Sequence, residues 1–166
     1  PGDAVLIKDF IDFTKMRPLT FYEGGERGVA HVAMDEPYCP NLRQKFAEHA
    51  KKTGLEIKGE AIYVCTEGPR FETASEIRMF QKLGADVVGM TNIPEVVLAK
   101  ELGMCYQAVG IITNWCTGFK GQLMDHDIKG IMERKKELIT DTFISVFTDG
   151  KLTQDTCNCR NSLLMM

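Results

Sequence analysis

An aromatic residue and a carboxylate stand side by side at Phe71-Glu72, just after the turn-forming pair Gly68-Pro69. The strand-prone run Tyr63–Cys65 ends at that pair, and a helix follows. Thr73 opens it with Glu76 three residues on, the capping-box spacing. Phe71 and Glu72 thus sit at the lip of a strand-to-helix loop, where α/β sheets hold their ligands. The same two residues would also fit a core phenylalanine beside a solvated glutamate, favoured near a helix N-terminus. Asn114 ends the apolar run Ile111-Ile112-Thr113 at a second strand edge, and its amide offers both a donor and an acceptor. Capping a turn is its plainer role. Met90 and Thr91 follow Val87–Gly89; the thioether is an adaptable packing group, and the hydroxyl suits a turn or a ligand. Of the three histidines, His31 lies in GVAHVAMDEP, His49 reads as a surface helix residue, and His126 opens the last long helix after Asp125.

The elements that must position these groups alternate between strand and helix. Pro1-Gly2-Asp3 is a turn feeding the strand Ala4–Ile7, and residues 15–28 are loop-like, with Pro18, Gly24, Gly25 and Gly28. Asn41–Thr53 is expected to be an amphipathic helix, with Leu42, Phe46 and Ala50 on one stripe and Gly54 past its end. Ala61–Thr66 makes the second strand. The capped helix then buries Ile77, Phe80 and Leu83, and Gly84 stops it before a strand over Asp86–Gly89. A helix with Pro94 in its first turn closes at Gly103. The continuous apolar run Met104–Thr113 is expected to be a central strand buried on both faces. From Asp125 a long helix carries Ile128, Ile131, Met132, Leu138, Ile139, Phe143 and Val146 on one stripe. This order predicts an α/β sandwich around a central sheet.

At 166 residues the chain fits one domain with a real core. Its 20 basic and 23 acidic side chains give a net charge of −3 with no basic run, which argues against nucleic acid or an anionic membrane surface as partner. No apolar run approaches bilayer length, and no signal pattern opens the chain. Of the six cysteines, Cys65 and Cys105 lie in apolar strand-like runs, so buried free thiols in a reducing, cytoplasmic setting are expected. Cys157 and Cys159 form a C-x-C with no further ligand near it in the sequence. That predicts no metal site and leaves free thiols in a flexible tail as one reading.

The stretch GPRFETASEIRMFQKLGADVVGMTNIPEVVLAKELGM closely resembles the trimeric purine nucleoside phosphorylases and their methylthioadenosine phosphorylase relatives. PGDAVLIKDFIDFTKMRPLTFYEG and GVAHVAMDEPYCPNLR resemble the methylthioadenosine branch, and IITNWCTGF its later purine-contacting loop. The likeness runs from Pro1 to about Phe147. It implies an α/β sandwich with a central mixed sheet flanked by helices, here as a partial domain: residues 1–150 form the C-terminal portion of a phosphorylase domain, and 151–166 a tail. A disulfide within the C-x-C has precedent among heat-loving members.

The activity implied is phosphorolysis of purine nucleosides such as inosine and guanosine. It yields free base and ribose 1-phosphate, with inorganic phosphate as co-substrate and no cofactor. Phe71 would stack on the purine, Glu72 would accept from N1–H of a 6-oxopurine, and Asn114 would donate to N7 or O6. Adenine would place its N1 lone pair against Glu72. Met90 would pack beneath the ribose, Thr91 would contact phosphate, His31 would reach a neighbouring subunit's sugar pocket, and His126 would touch the 5′-hydroxyl. A homotrimer follows from the same likeness. Methylthioadenosine or methylthioinosine phosphorylase, or a non-catalytic purine-binding remnant, are the alternatives. In the family the PGD turn falls well inside the polypeptide, after a Gly-rich phosphate loop. The 166-residue chain alone is therefore expected to turn inosine over negligibly and to associate through an exposed sheet edge.

Overall fold

A computed structural model describes residues 1–120, 127–149 and 151–166. Four strands form a mixed sheet: β1 (Ala4–Phe13), β3 (Ile57–Thr66), β4 (Val87–Gly89) and β5 (Val109–Ile111), in the order β4-β3-β1-β5. β1, β3 and β4 run parallel, and β5 is antiparallel to β1. β2 (Ala30–Val32) and β6 (Leu163–Met165) make a separate antiparallel pair. The helices are α1 (Pro40–Thr53), α2 (Ala74–Lys82), α3 (Glu95–Glu101) and α4 (Ile128–Thr148). The α/β sandwich with a mixed sheet read from the sequence is therefore the observed architecture.

Alternation along β1 assigns its two faces. Ala4 and Leu6 pack with Phe46, Ala50, Leu55 and Val146, a core that α1 and α4 close. Val5 and Ile7 point to the other face, where Tyr38, Ala61, Cys65, Ile93 and Val96 meet. The pairing with β3 shifts register between Ile7 and Asp9. An extra residue on one strand re-phases the alternation. Beyond it Phe10 joins the Ile7 side, while Ile11 turns toward Val64, Ile77 and Phe80 beneath α2. Burying a side chain such as Phe46 or Ile7 contributes roughly 1.5–3 kcal/mol.

Local signals set the helix ends. Gly54 takes the left-handed conformation (φ 82°) past α1, and Thr73 with Glu76 completes the capping box of α2. Asp127 caps α4 by accepting from the Gly130 N–H at 2.9 Å. Four expectations need correction. The run Met104–Thr113 is not a central strand: only Val109–Ile111 are strand, half-buried at the sheet edge. Tyr106 and Gln107 interrupt it, because their polar groups are drawn off to the Cys39 N–H and the Ile7 carbonyl. Cys105 consequently lies in irregular chain. Leu83 is 53 % exposed, since α2 ends before it turns inward. His49 is buried at 3 % exposure, because α1 packs on α4 and its Nδ1 meets Ser145 Oγ at 2.7 Å. The residues past 150, read as a tail, turn back so that β6 pairs with β2 and Cys159 and Ser162 are buried.

Candidate purine site

Three loops at the C-terminal ends of strands, or just past them, converge on one cleft. The loop after β3 brings Phe71 and Glu72, the loop after β4 brings Met90, and the segment after β5 brings Asn114, Trp115 and Cys116. The cleft has a volume of about 620 Å³, within the range of small-molecule sites. Four of the expected site residues, Phe71, Glu72, Met90 and Asn114, line it together.

Their environments differ in ways that suit a flat, hydrogen-bonding ring. Phe71 is 54 % exposed, so its ring presents an open face to the cleft. Glu72 is 9 % exposed and accepts a hydrogen bond from the Thr66 hydroxyl at 2.7 Å. That bond fixes one carboxylate oxygen at the cleft wall. Asn114 Oδ1 accepts from the Thr113 hydroxyl (2.7 Å), and its Nδ2 donates to the Trp115 carbonyl (3.1 Å). The amide orientation is thereby set, and one of its two N–H donors is used. Burial and the Glu72 carboxylate together push the Cys116 thiol above its ordinary value. The charged side chains lining the cleft are Asp3, Lys58, Glu60, Glu72 and Asp86, so its walls are acidic on balance. Such a wall favours a ligand that presents N–H groups.

Behind the cleft, polar groups hold the loops. Tyr63 Oη accepts from the Thr91 N–H at 3.3 Å, and burial raises its phenol above the ordinary range. Gly89 faces that phenol: a Cβ there would lie 2.3 Å from Tyr63 Oη, so only glycine lets β4 approach β3 this closely. Asn92 Nδ2 donates to Tyr38 Oη at 2.6 Å, and Tyr106 Oη donates to Glu95 at 2.7 Å. Arg17 reaches from the loop after β1 to the carbonyls of Thr66 and Glu67, both at 3.3 Å, and to that of Ile93. It ties the post-β3 and post-β4 loops together.

Thr91 is exposed beside Met90 and does not line the cleft. His31 is exposed on β2, opposite Leu164 of β6, and is likewise absent from the cleft wall. His126 lies outside the described residues. Sequence reasoning passed over Thr66, Arg17 and Trp115. Trp115, the chain's one tryptophan, follows Asn114 directly and was the most findable of them.

A mixed sheet with an aromatic, a buried carboxylate and an amide gathered around one cleft makes a small-molecule site on an α/β fold. The family model "Phosphorylase superfamily" matches residues 1–145, and the chain belongs to that superfamily. It is 45 % identical over 160 residues to a probable 6-oxopurine nucleoside phosphorylase of Moorella thermoacetica, covering 96 % of this chain and 61 % of that protein. A probable S-methyl-5′-thioinosine phosphorylase of Methanopyrus kandleri is 56 % identical over 118 residues, 71 % of this chain and 45 % of the relative. Among solved structures, a methylthioadenosine phosphorylase from an antarctic soil metagenomic library superposes with a TM-score of 0.86 at 27 % identity, covering 98 % of this chain and 58 % of that one. The chain thus spans about three fifths of the length of several curated relatives. Among the described residues no helix is long and apolar enough to cross a membrane.

Proposed function

We propose that the protein acts in phosphorolysis of the N-glycosidic bond of 6-oxopurine nucleosides. The observation that carries this reading is the buried Glu72 carboxylate, pinned by Thr66 and set beside the exposed Phe71 ring. A carboxylate accepts from N1–H of guanine or hypoxanthine, whereas the N1 of adenine offers only a lone pair. Sites built to hydrogen-bond a group discriminate strongly against an analogue that lacks it, because the buried partner is then left unpaired.

Asn114 faces the base from the other loop. As the glycosidic bond stretches, the ribosyl carbon gains oxocarbenium character and the purine leaves as an anion, in the manner of glycoside cleavage. An amide N–H held toward N7 or O6 stabilises that charge where it develops. Inorganic phosphate then attacks the anomeric carbon, helped by being bound beside the sugar. Met90 supplies the apolar floor under the ribose, and Thr91, exposed just past β4 and outside the cleft wall, is assigned to phosphate through its hydroxyl. This chemistry asks for no metal or organic cofactor. His31, on an exposed strand away from its own cleft, suits a role in a neighbouring subunit's sugar pocket, which calls for a homotrimer.

Relatives named for nucleosides and for methylthioinosine share the 6-oxopurine base, so the 5′-substituent is the point on which the two readings part. The test is steady-state phosphorolysis of inosine, guanosine, methylthioinosine and adenosine by the complete protein. Turnover of the 6-oxopurine substrates well above adenosine is expected. Equal turnover of adenosine and inosine would remove the Glu72 argument, and methylthioinosine far above inosine would select the second reading.

A further inference from the structure

Away from the purine cleft, four cysteines from three distant parts of the chain meet. Cys39 is the N-cap of α1, Cys105 lies in the irregular segment between α3 and β5, and Cys157 and Cys159 flank Asn158 at the turn before β6. Their sulfur atoms all lie within 4.8 Å of one another, and Cys105 Sγ is 3.6 Å from Cys157 Sγ. The expectation that the C-x-C lacks further ligands is thereby corrected: the fold supplies two from far along the chain. We propose that Cys39, Cys105, Cys157 and Cys159 form a structural site for a thiophilic divalent cation, with zinc as the best fit.

The arrangement matches that chemistry on four counts. A tetrahedral zinc–sulfur site, with bonds of about 2.3 Å, places its sulfurs about 3.8 Å apart, close to the spacing here. Each sulfur has the other three within 4.8 Å, so the four form one compact cluster. Cys39 and Cys159 are buried and Cys105 and Cys157 half-buried, the closed setting of a structural site and not the open one of a catalytic site. Outer partners are also present. Gln154 Nε2 lies 3.4 Å from Cys105 Sγ and can donate to it, and Arg160 donates in turn to Gln154 Oε1. Donors of this kind orient thiolate ligands and offset their charge.

A route in exists as well. A cavity of about 660 Å³ runs alongside, lined by Cys39, Cys105, Lys45, Lys151, Gln154 and Arg160 among others. Lys45, Lys151 and Arg160 on its wall outnumber Glu48 and Asp155, a slight basic excess beside a four-thiolate divalent centre of net negative charge. Binding would displace the thiol protons and clamp the turn before β6 to the start of α1. β6 pairs with β2, so the clamp would also steady the strand that carries His31.

The test is a Co²⁺ titration of the complete protein under anaerobic reducing conditions, with the four cysteines confirmed as free thiols by peptide mass mapping. We expect thiolate-to-cobalt and tetrahedral d–d absorption that saturates at one ion per chain. Zn²⁺ should abolish these bands, and one equivalent of Zn²⁺ should raise the thermal midpoint. Gln154→Leu should weaken binding about 10–100-fold, the usual cost of losing an outer partner, and Cys157→Ser or Cys159→Ser should weaken it more. Cys116→Ser, outside the cluster, should leave the bands unchanged. Absence of thiolate bands in the reduced protein overturns the proposal. So does closure of disulfides among these four that one equivalent of Co²⁺ fails to prevent. Bands that survive Cys157→Ser but vanish with Cys116→Ser would equally reject it.

Discussion

The groups that face the cleft and those that stand behind it differ in how far their hydrogen-bonding capacity is already engaged. In front, Phe71 is more than half exposed, Glu72 has one bond to Thr66, and Asn114 uses one donor on Trp115. Behind, Tyr38 and Asn92 are buried against each other, and Arg17 divides its guanidinium among three carbonyls of two loops. The rear groups are satisfied within the protein, so they fix geometry, while the front groups keep capacity for a ligand. Catalytic preorganisation needs both, since donors stabilise developing charge only if they are already in place. The comparison therefore separates substitutions that should alter chemistry from those that should alter stability.

The largest effect is expected at the front. On the proposed function, Asn114→Ala removes a donor to the departing base, and loss of one such donor lowers kcat by about 10²–10³. Its two bonds here are local, to Thr113 and Trp115, so unfolding free energy should change by no more than about 1 kcal/mol. Steady-state kinetics of the complete protein on inosine beside urea unfolding checks both halves. A stability loss that accounts for the fall in rate would move Asn114 to the structural layer and erase the contrast.

A smaller rate effect with a larger stability effect is expected at Arg17. Arg17→Met keeps the stem but leaves the carbonyls of Thr66, Glu67 and Ile93 without their shared donor. Bonds to charged groups contribute about 1.5–3 kcal/mol, and unfolding should shift by an amount in that range. Glu72 and Met90 sit on the two loops Arg17 joins, so KM for the nucleoside should rise with the loss of stability. Unchanged unfolding in the variant would show that the loops are held by the Tyr63–Thr91 contact instead.

Most of the front layer was legible from the chain because its signals are local. The run from Tyr63 to Pro94 contains strand, turn, capping box, helix stop and strand in order, and each loop displays a cleft-lining residue past its strand. The rear layer was not, because its partners are remote: Arg17 meets Ile93, Tyr38 meets Asn92, and His49 meets Ser145 only after α1 docks on α4. Three-residue strands such as β2 and β6 have too little periodicity to announce a pairing between segments so far apart in the chain. Apolar content misled at Met104–Thr113 for the same reason, since the hydrogen bonds of Tyr106 and Gln107, not hydrophobicity, decide where β5 begins. The cysteine cluster is the extreme case, with ligands drawn from three separate segments.

The smallest effect joins the two layers through the start of α2. Glu76 accepts from both terminal nitrogens of Arg70, at 2.7 and 2.8 Å, and from the Thr73 N–H at 2.7 Å. The Arg70 bond first, and the Thr73 N–H next, pull its carboxyl from 4.5 down to about 2. A carboxyl depressed in the folded state stabilises the fold fully above its ordinary value, and that contribution is lost as protons bind. The capping box should thus be intact above pH 4.5 and weaken progressively toward pH 2, and Glu76→Gln should flatten that part of the urea-midpoint profile. At neutral pH, Thr73→Ala should cost about 1 kcal/mol, the ordinary worth of a helix N-cap. Phe71 and Glu72 immediately precede the cap, so the same substitution should weaken purine affinity slightly while leaving kcat nearly unchanged. A Thr73→Ala protein with wild-type stability and reduced kcat would mean that the loop before α2 is set by Thr66 and Arg70 alone. The division between ligand-facing and supporting residues would then have to be redrawn around them.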